Sequence, residues 1–335
     1  MGMRERSRRR WEPIDGIVVA YTVWTGLLIA CFSPAAWPWL LAAHAAIVAF
    51  VLIIPSRGAA WERREWARRW QRAAHELVRF LRHAYPLPLA LFLFEEGRFI
   101  VNMIFPASPY WFEPRLYAAD AAVFGGLPAR MLAPWVSPPF TELMHFFYWS
   151  YYPILIGGVM LAYLGPAGRR GSSDASRSGR RLRVPAEGFA TVMTSLGAAF
   201  TAAFMFYPWL PARGPWESPE LMAGLPPLDG YAFTAMMDVI IAHGAVSGNC
   251  FPSAHVAGAW GIVLGLWQTP AHRRAAWALA LLSAAMSVAC VFTRYHHAAD
   301  VAAGLACGIA GALAARRLVT RTGKTEALDE VPWEG

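Results

Sequence analysis

The chain has 335 residues, 56% of them hydrophobic and 16% charged, with a formal net charge of +8. Its mean hydropathy is +0.34 and it carries 16 tryptophans. These values exclude an ordinary soluble domain and suit an all-α, polytopic membrane helix bundle with aromatic residues at its interfaces.

In chain order, residues 1–10 form an arginine-rich leader ahead of an apolar run at 14–32. That run spans about 30 Å of hydrocarbon at 1.5 Å per residue. It is longer than the roughly 7–15 residues of a signal-peptide core, the rival reading. A second span is expected at 37–55. Residues 56–83 then carry eight arginines interleaved with Trp61, Trp66, Trp70, Leu77 and Phe80. This pattern predicts an amphipathic helix on the membrane surface. Nucleic-acid binding is the other reading of so basic a stretch, but the flanking spans explain the charge and no nucleic-acid partner is expected.

A third span, 86–106, contains Glu95, Glu96 and Arg98. Ionisable groups within a span face the protein interior and mark a site, or else pair with one another. Residues 108–139, rich in proline, glycine and aromatics, predict an interfacial or re-entrant loop. The fourth span, 140–164, bears His145, Tyr148, Tyr151 and Tyr152, which line a head-group pocket or serve packing. A flexible loop at 165–187 leads to the fifth span, 188–210, and a long segment at 211–249 has a helical patch at 231–241. Runs at 252–268, 275–291 and 298–315 complete about eight spans. The expected organisation is an N-terminal pair of spans with the surface helix (1–85), a catalytic membrane domain (86–318) and a cytoplasmic tail (319–335).

With a cytoplasmic N-terminus, all of the 30 Lys and Arg except Arg98, Arg115, Arg130, Arg213 and Arg294 fall on the inner side. This asymmetry sets the orientation. It places the chemistry at the outer face of an integral membrane protein, for which a bacterial inner membrane is the expected location. Cys31, Cys250, Cys290 and Cys307 show no metal spacing, and a Cys31–Cys250 pairing stays open beside the default of free thiols.

Two stretches carry chemistry. Asn249-Cys250-Phe251-Pro252-Ser253-Ala254-His255 and Thr293-Arg294-Tyr295-His296-His297-Ala298-Ala299-Asp300 each stand where an apolar run begins. The first turn of a helix presents unpaired N–H groups and a positive dipole end, which attract phosphate. Pro252 suits that first turn, Ser253 adds a hydroxyl donor, and His255 reaches what Ser253 holds. His296 and Asp300 are spaced i, i+4, so on a helix they share a face. The carboxylate then fixes the imidazole tautomer and frees the other nitrogen to attack. His296 is the candidate nucleophile, His255 the candidate acid, and Arg294 a candidate phosphate contact.

Pro252-Ser253-Ala254-His255 resembles the second motif of the type 2 phosphatidic acid phosphatase (PAP2) superfamily, with Ala254 in place of a glycine. His296 to Asp300 resembles the end of its third motif. The resemblance implies a phosphohistidine at His296, orientation by Asp300, and His255 as acid and then base. The family has five residues between the third-motif arginine and histidine, whereas only Tyr295 separates Arg294 from His296. The short form resembles the branch of inositol-phosphorylceramide synthases and sphingomyelin-synthase-like transferases. Arg98, followed at the motif-one spacing by Phe105 and Pro106, retains one of that motif's two charges.

The expected function is therefore transfer of a lipid phosphate or phospho-head group at the outer face, without a cofactor or metal. The group passes to a lipid-alcohol acceptor or to water, the latter releasing phosphate from phosphatidic acid or polyprenyl pyrophosphate. Ser253, Arg294, Arg98, His145 and Tyr148 are the expected substrate contacts. Two other classes stay open: a metal enzyme using His243, His255, His296, His297 and Asp300, and a non-catalytic lipid transporter.

Overall fold

The computed structural model describes residues 11–32, 38–62, 69–105, 111–164 and 187–329. The basic leader 1–10, Pro106 and the loop 165–186 lie outside the described residues. Within them the chain is helical and without strands: α1 (Pro13–Phe32), α2 (Pro38–Glu62), α3 (Arg69–Ala84), α4 (Pro86–Ile104), α5 (Glu113–Phe124), α6 (Pro128–Leu132), α7 (Pro138–Trp149), α8 (Tyr151–Leu164), α9 (Glu187–Phe204), α10 (Pro219–Met222), α11 (Ala232–Gly244), α12 (Ala254–Trp267), α13 (Arg273–Phe292) and α14 (Ala298–Asp329).

Local chemistry sets many of these boundaries. Pro86, Pro114, Pro128 and Pro138 each occupy the first turn of a helix, where a missing N–H costs no hydrogen bond. Gly125, at φ 76°, ends α5 in the left-handed cap that glycine adopts without strain. Helices α7 and α8 are one rod interrupted at Ser150, because the Pro153 ring crowds the carbonyl one turn earlier.

Several expectations change here. The described residues contain four helices long and apolar enough to cross a membrane: Pro13–Phe32, Pro138–Leu164, Pro270–Phe292 and Ala298–Thr320. The shorter apolar stretches Pro38–Ile53, Gly188–Phe204, Ala232–Gly244 and Ala254–Trp267 fall below that length. Helix α4, with Glu95, Glu96 and Arg98, carries too much charge for the same class. Pro55 does not end the second helix, which runs on to Glu62. The expected loop at 108–139 contains α5 and α6. All four cysteines are free, so Cys31 and Cys250 are not paired.

Helices α9, α12 and α14 form the centre, with Phe189, Met193, Leu196, Ala257, Ile262 and Leu266 buried among them. Between apolar helices in lipid, close van der Waals packing and hydrogen bonds replace the hydrophobic drive. Two glycines on α14 show how close the approach is. A Cβ at Gly311 would strike the Ser195 backbone oxygen, and one at Gly304 would come within 2.5 Å of the Ser253 oxygen. The Ser195 hydroxyl donates to the Gly261 carbonyl at 2.7 Å. Against this centre pack α7, α8 and α13, through Tyr148, Ile154 and Met286.

The N-terminal helices close on α4 through buried polar pairs. Arg82 and the Tyr85 hydroxyl donate to Asp15, and His44 lies 3.0 Å from Glu96 and 2.8 Å from the Thr25 hydroxyl. Of the two carboxylates in the third expected span, Glu96 faces this pair while Glu95 is half exposed and bonds Arg98 at 3.1 Å. Helix α4 is in turn tied to the stretch at 249–255, because the Asn249 amide donates to the Phe94 carbonyl at 2.6 Å.

Candidate active site

The two chemical stretches meet at one end of the central helices. Ser253 is the N-cap of α12, its oxygen accepting from the Val256 N–H at 3.4 Å. Pro252 therefore stands before the cap rather than in the first turn, and His255 occupies the second helical position. The Ser253 N–H donates to the Asp300 carbonyl at 3.2 Å, tying the start of α12 to the first turn of α14. Gly304, one turn further along α14, permits that approach.

His296 lies in the bend before α14, not on the helix. Its pairing with Asp300 thus comes from the turn rather than from a shared helical face. The separation is 3.5 Å between His296 Nδ1 and Asp300 Oδ2. The Asp300 carboxylate, on the first turn of α14, also accepts from the His297 N–H at 2.8 Å, satisfying one of the orphan donors of the helix start.

Cys250 stands between the two groups. Its thiol donates to Asp300 Oδ2 at 3.0 Å, and its sulfur lies 3.2 Å from His296 Nδ1. The other imidazole nitrogen, Nε2, is 3.2 Å from the Ser253 hydroxyl. With the Cys250 proton directed to Asp300, both the sulfur and the carboxylate are acceptors toward Nδ1, which places the ring proton there and leaves Nε2 to accept from the Ser253 hydroxyl. Burial, followed by the Asp300 charge, pushes the Cys250 thiol well above its ordinary value, so it stays a donor.

His255 faces His296 with ring centroids 5.6 Å apart. Its Nε2 meets the Tyr148 hydroxyl at 3.2 Å, and its ring lies 4.5 Å from that of Tyr151 and 4.9 Å from that of Tyr148. His255, His296 and Tyr148 line a cavity of ≈ 300 Å³. Cys250 and Asn249 are at its polar end, and Leu87, Phe94, Leu155, Phe204 and Ile241 form apolar walls drawn from α4, α8, α9 and α11. A polar end opening into an apolar slot is the form of a site for an amphipathic molecule.

The remaining sequence-predicted residues are placed differently. His145 is buried one layer behind, its Nε2 3.4 Å from the Tyr295 hydroxyl and its Nδ1 2.9 Å from the Thr141 carbonyl. Tyr295 itself lines the cavity, and burial raises its hydroxyl above the ordinary value. Arg294 takes a left-handed backbone at φ 66° and turns its side chain to the Pro226 carbonyl at 2.6 Å. It holds the 223–230 loop rather than lining the cavity; burial lowers its ordinary value, and its Nε has no partner among the described residues. Arg98 lines a neighbouring pocket with Asn102, Trp111 and Ser247. His243 is exposed and bonds the Val239 carbonyl of its own helix.

Two neighbours of the site have no signal in the sequence that assigns them to it. Cys250 lies within the 249–255 stretch, but cysteine spacing alone gives it no role there. Asp120, on α5, accepts from the N–H groups of Ala298 and Ala299 at 3.1 and 2.9 Å and lies 3.4 Å from His297 Nδ1. It caps the helix that begins beside His296, as an anion at a helix N-terminus should. Nothing in the 113–124 stretch marks it, since its partners are 178 and 179 residues away. Among the described residues, the group whose ligand atoms come together as a metal site would require is Cys250, His296 and Asp300, not the wider histidine set.

Residues 182–314 match a family model described as the PAP2 superfamily, which generally comprises phosphatases and phosphotransferases acting on lipid phosphates. No curated protein and no solved structure shows a significant match. The matched region contains α9, α12, α13 and most of α14, and with them both chemical stretches.

Proposed function

We propose that the protein is a membrane phosphatase or phosphotransferase acting on a lipid phosphate, with His296 as nucleophile, Asp300 as its orienting carboxylate and His255 as acid and base. One observation carries the reading. Cys250 and Asp300 engage Nδ1 of His296, leaving Nε2 for phosphorus at the polar end of a cavity that His255 also lines. In the first step Nε2 bonds phosphorus as the bond to the leaving oxygen breaks, and His255 protonates that oxygen. In the second step His255 takes a proton from the acceptor hydroxyl, whose oxygen attacks phosphorus and frees His296.

The amides at the start of α12, with the Ser253 hydroxyl, are suited to the charge on the phosphoryl oxygens. Tyr148 steadies His255 and borders the head group. The apolar walls on α4, α9 and α11 suit the substrate's tail. The scheme uses no cofactor. The charge asymmetry of the sequence supports a cytoplasmic N-terminus and an outward-facing site; a bacterial inner membrane is the proposed setting. The short Tyr295-His296-His297 form favours a lipid hydroxyl over water as acceptor, which makes transfer of an inositol-phosphate-like head group the sharper version of the reading.

The test uses purified protein in lipid, free of added metal, with labelled phosphatidic acid and labelled phospholipids, each with and without ceramide or diacylglycerol. Inorganic phosphate that disappears in His296→Ala marks a phosphatase. A new phospholipid formed only with acceptor marks a transferase. Equal turnover by His296→Ala and wild type removes the phosphohistidine.

A further inference from the structure

The atoms behind the nucleophile have a second chemical identity. Cys250 Sγ, His296 Nδ1 and Asp300 Oδ2 are separated by 3.0, 3.2 and 3.5 Å, and all three residues are buried. Thiolate, imidazole and carboxylate together suit Zn²⁺, at about 2.0–2.3 Å from each donor. Tetrahedral donors at those lengths stand roughly 3.3–3.8 Å apart. The trio therefore needs to spread by only a few tenths of an ångström.

Two further features point to a cation. Asp300 is fully buried, and its Oδ1 has no partner among the described residues. A buried carboxylate is expensive unless a positive charge compensates it. Cys250 and His296 also border the cavity, so an ion has a path in, and its fourth position stays open to water or a phosphate oxygen.

We infer that Cys250, His296 and Asp300 bind a thiophilic divalent cation of the Zn²⁺ class, and that occupancy and turnover exclude each other. The inhibitory half rests on His296 being the nucleophile. On binding, the Cys250 S–H bond is replaced by a bond from sulfur to the metal, and that proton leaves to water. His296 loses its proton at Nδ1, which takes the metal, and gains one at Nε2. No group is oxidised or reduced, and one proton is released per ion. With Nε2 protonated, the lone pair required at phosphorus is gone.

The experiment uses the full chain in lipid, with ZnCl₂ alone in equilibrium dialysis and CdCl₂ alone followed by the ultraviolet thiolate-to-cadmium absorption. The expected result is one ion per chain and a thiolate–cadmium band in wild type. Affinity should fall at least tenfold in Cys250→Ser and in Asp300→Asn, since even an outer-shell partner commands about 10–100-fold. Mg²⁺ should not compete. Equal zinc affinity in wild type and Cys250→Ser, or cadmium bound without the band, overturns the site. In the activity arm, saturating Zn²⁺ should lower wild-type turnover of labelled phosphatidic acid at least tenfold, and Cys250→Ser should require at least tenfold more zinc for half inhibition. Full turnover with zinc held through Cys250 overturns the inhibition. The two readings separate cleanly. Cys250-dependent binding in a protein without metal-free turnover keeps the metal site and removes the proposed function. His296-dependent turnover without Cys250-dependent binding does the reverse.

Discussion

Asp15 and Asp300 are both wholly buried, yet they are treated in opposite ways. Asp15, at the base of α1, receives two donors from Arg82, one from Tyr85 and one from the Glu12 N–H, so both its oxygens are satisfied and its charge is matched by a guanidinium. Asp300 receives a thiol, a backbone N–H and an imidazole on Oδ2, and nothing among the described residues on Oδ1. The first carboxylate is closed and structural. The second is left short of positive charge, and in the proposed cycle that charge arrives when His296 becomes a phosphoimidazolium. Incomplete satisfaction of a buried group is tolerated where function uses the deficit.

The widest separation between the two regions is expected from His296→Ala. Turnover should fall by at least ~10⁴-fold, the scale of losing a nucleophile, with an unchanged thermal transition. A stability loss of comparable size would merge the two regions and break the comparison. Asp300→Asn should cost up to about 10⁴-fold in kcat, because an amide no longer selects the tautomer with the Nδ1 proton. His255→Gln should cost about 10²–10⁴-fold with an alkyl leaving group, and markedly less with a phenolic one that departs without protonation. An equal loss with both substrates would remove His255 as the acid.

On the structural side, Asp15→Asn strands the Arg82 charge and should destabilise the protein by about 3–5 kcal/mol, read as a lowered thermal transition. The kcat of the folded fraction should hold. The smallest effect belongs to Arg98→Ala. Its ion pair with Glu95 has both side chains about half exposed, and such pairs contribute roughly 1 kcal/mol or less, so turnover should change by less than about fivefold. A hundredfold loss would make Arg98 a substrate contact despite its place in the neighbouring pocket.

How legible the site was depends on distance along the chain. Ser253 with His255, and His296 with Asp300, are each separated by a few residues, so their spacing alone suggested a joint role. The fold was legible to the same extent: apolar run lengths anticipated most helices, while the partner of Glu96 and the helix at α5 depended on segments distant in the chain, and the run of α2 past Pro55 had no signal in the apolar pattern. Arg294 shows the limit. Its position two residues before His296 suggested a phosphate contact, but the left-handed turn at its own backbone swings the side chain to Pro226.

By itself the sequence determined an apolar, helical, tryptophan-rich chain and the two short stretches that begin α12 and α14. It could do so because composition, helix length and i, i+4 spacing are local quantities written in consecutive residues. The tertiary structure decided which imidazole nitrogen is occupied, that Cys250 joins His296 and Asp300, that Asp120 caps α14, and that α4 and α11 wall the cavity. These partners are separated by 46, 50 and 178 residues. The close approach of α12 and α14, permitted where Gly304 replaces a side chain, brings Cys250 within reach of His296 and Asp300, and the contact of α5 with the start of α14 does the same for Asp120.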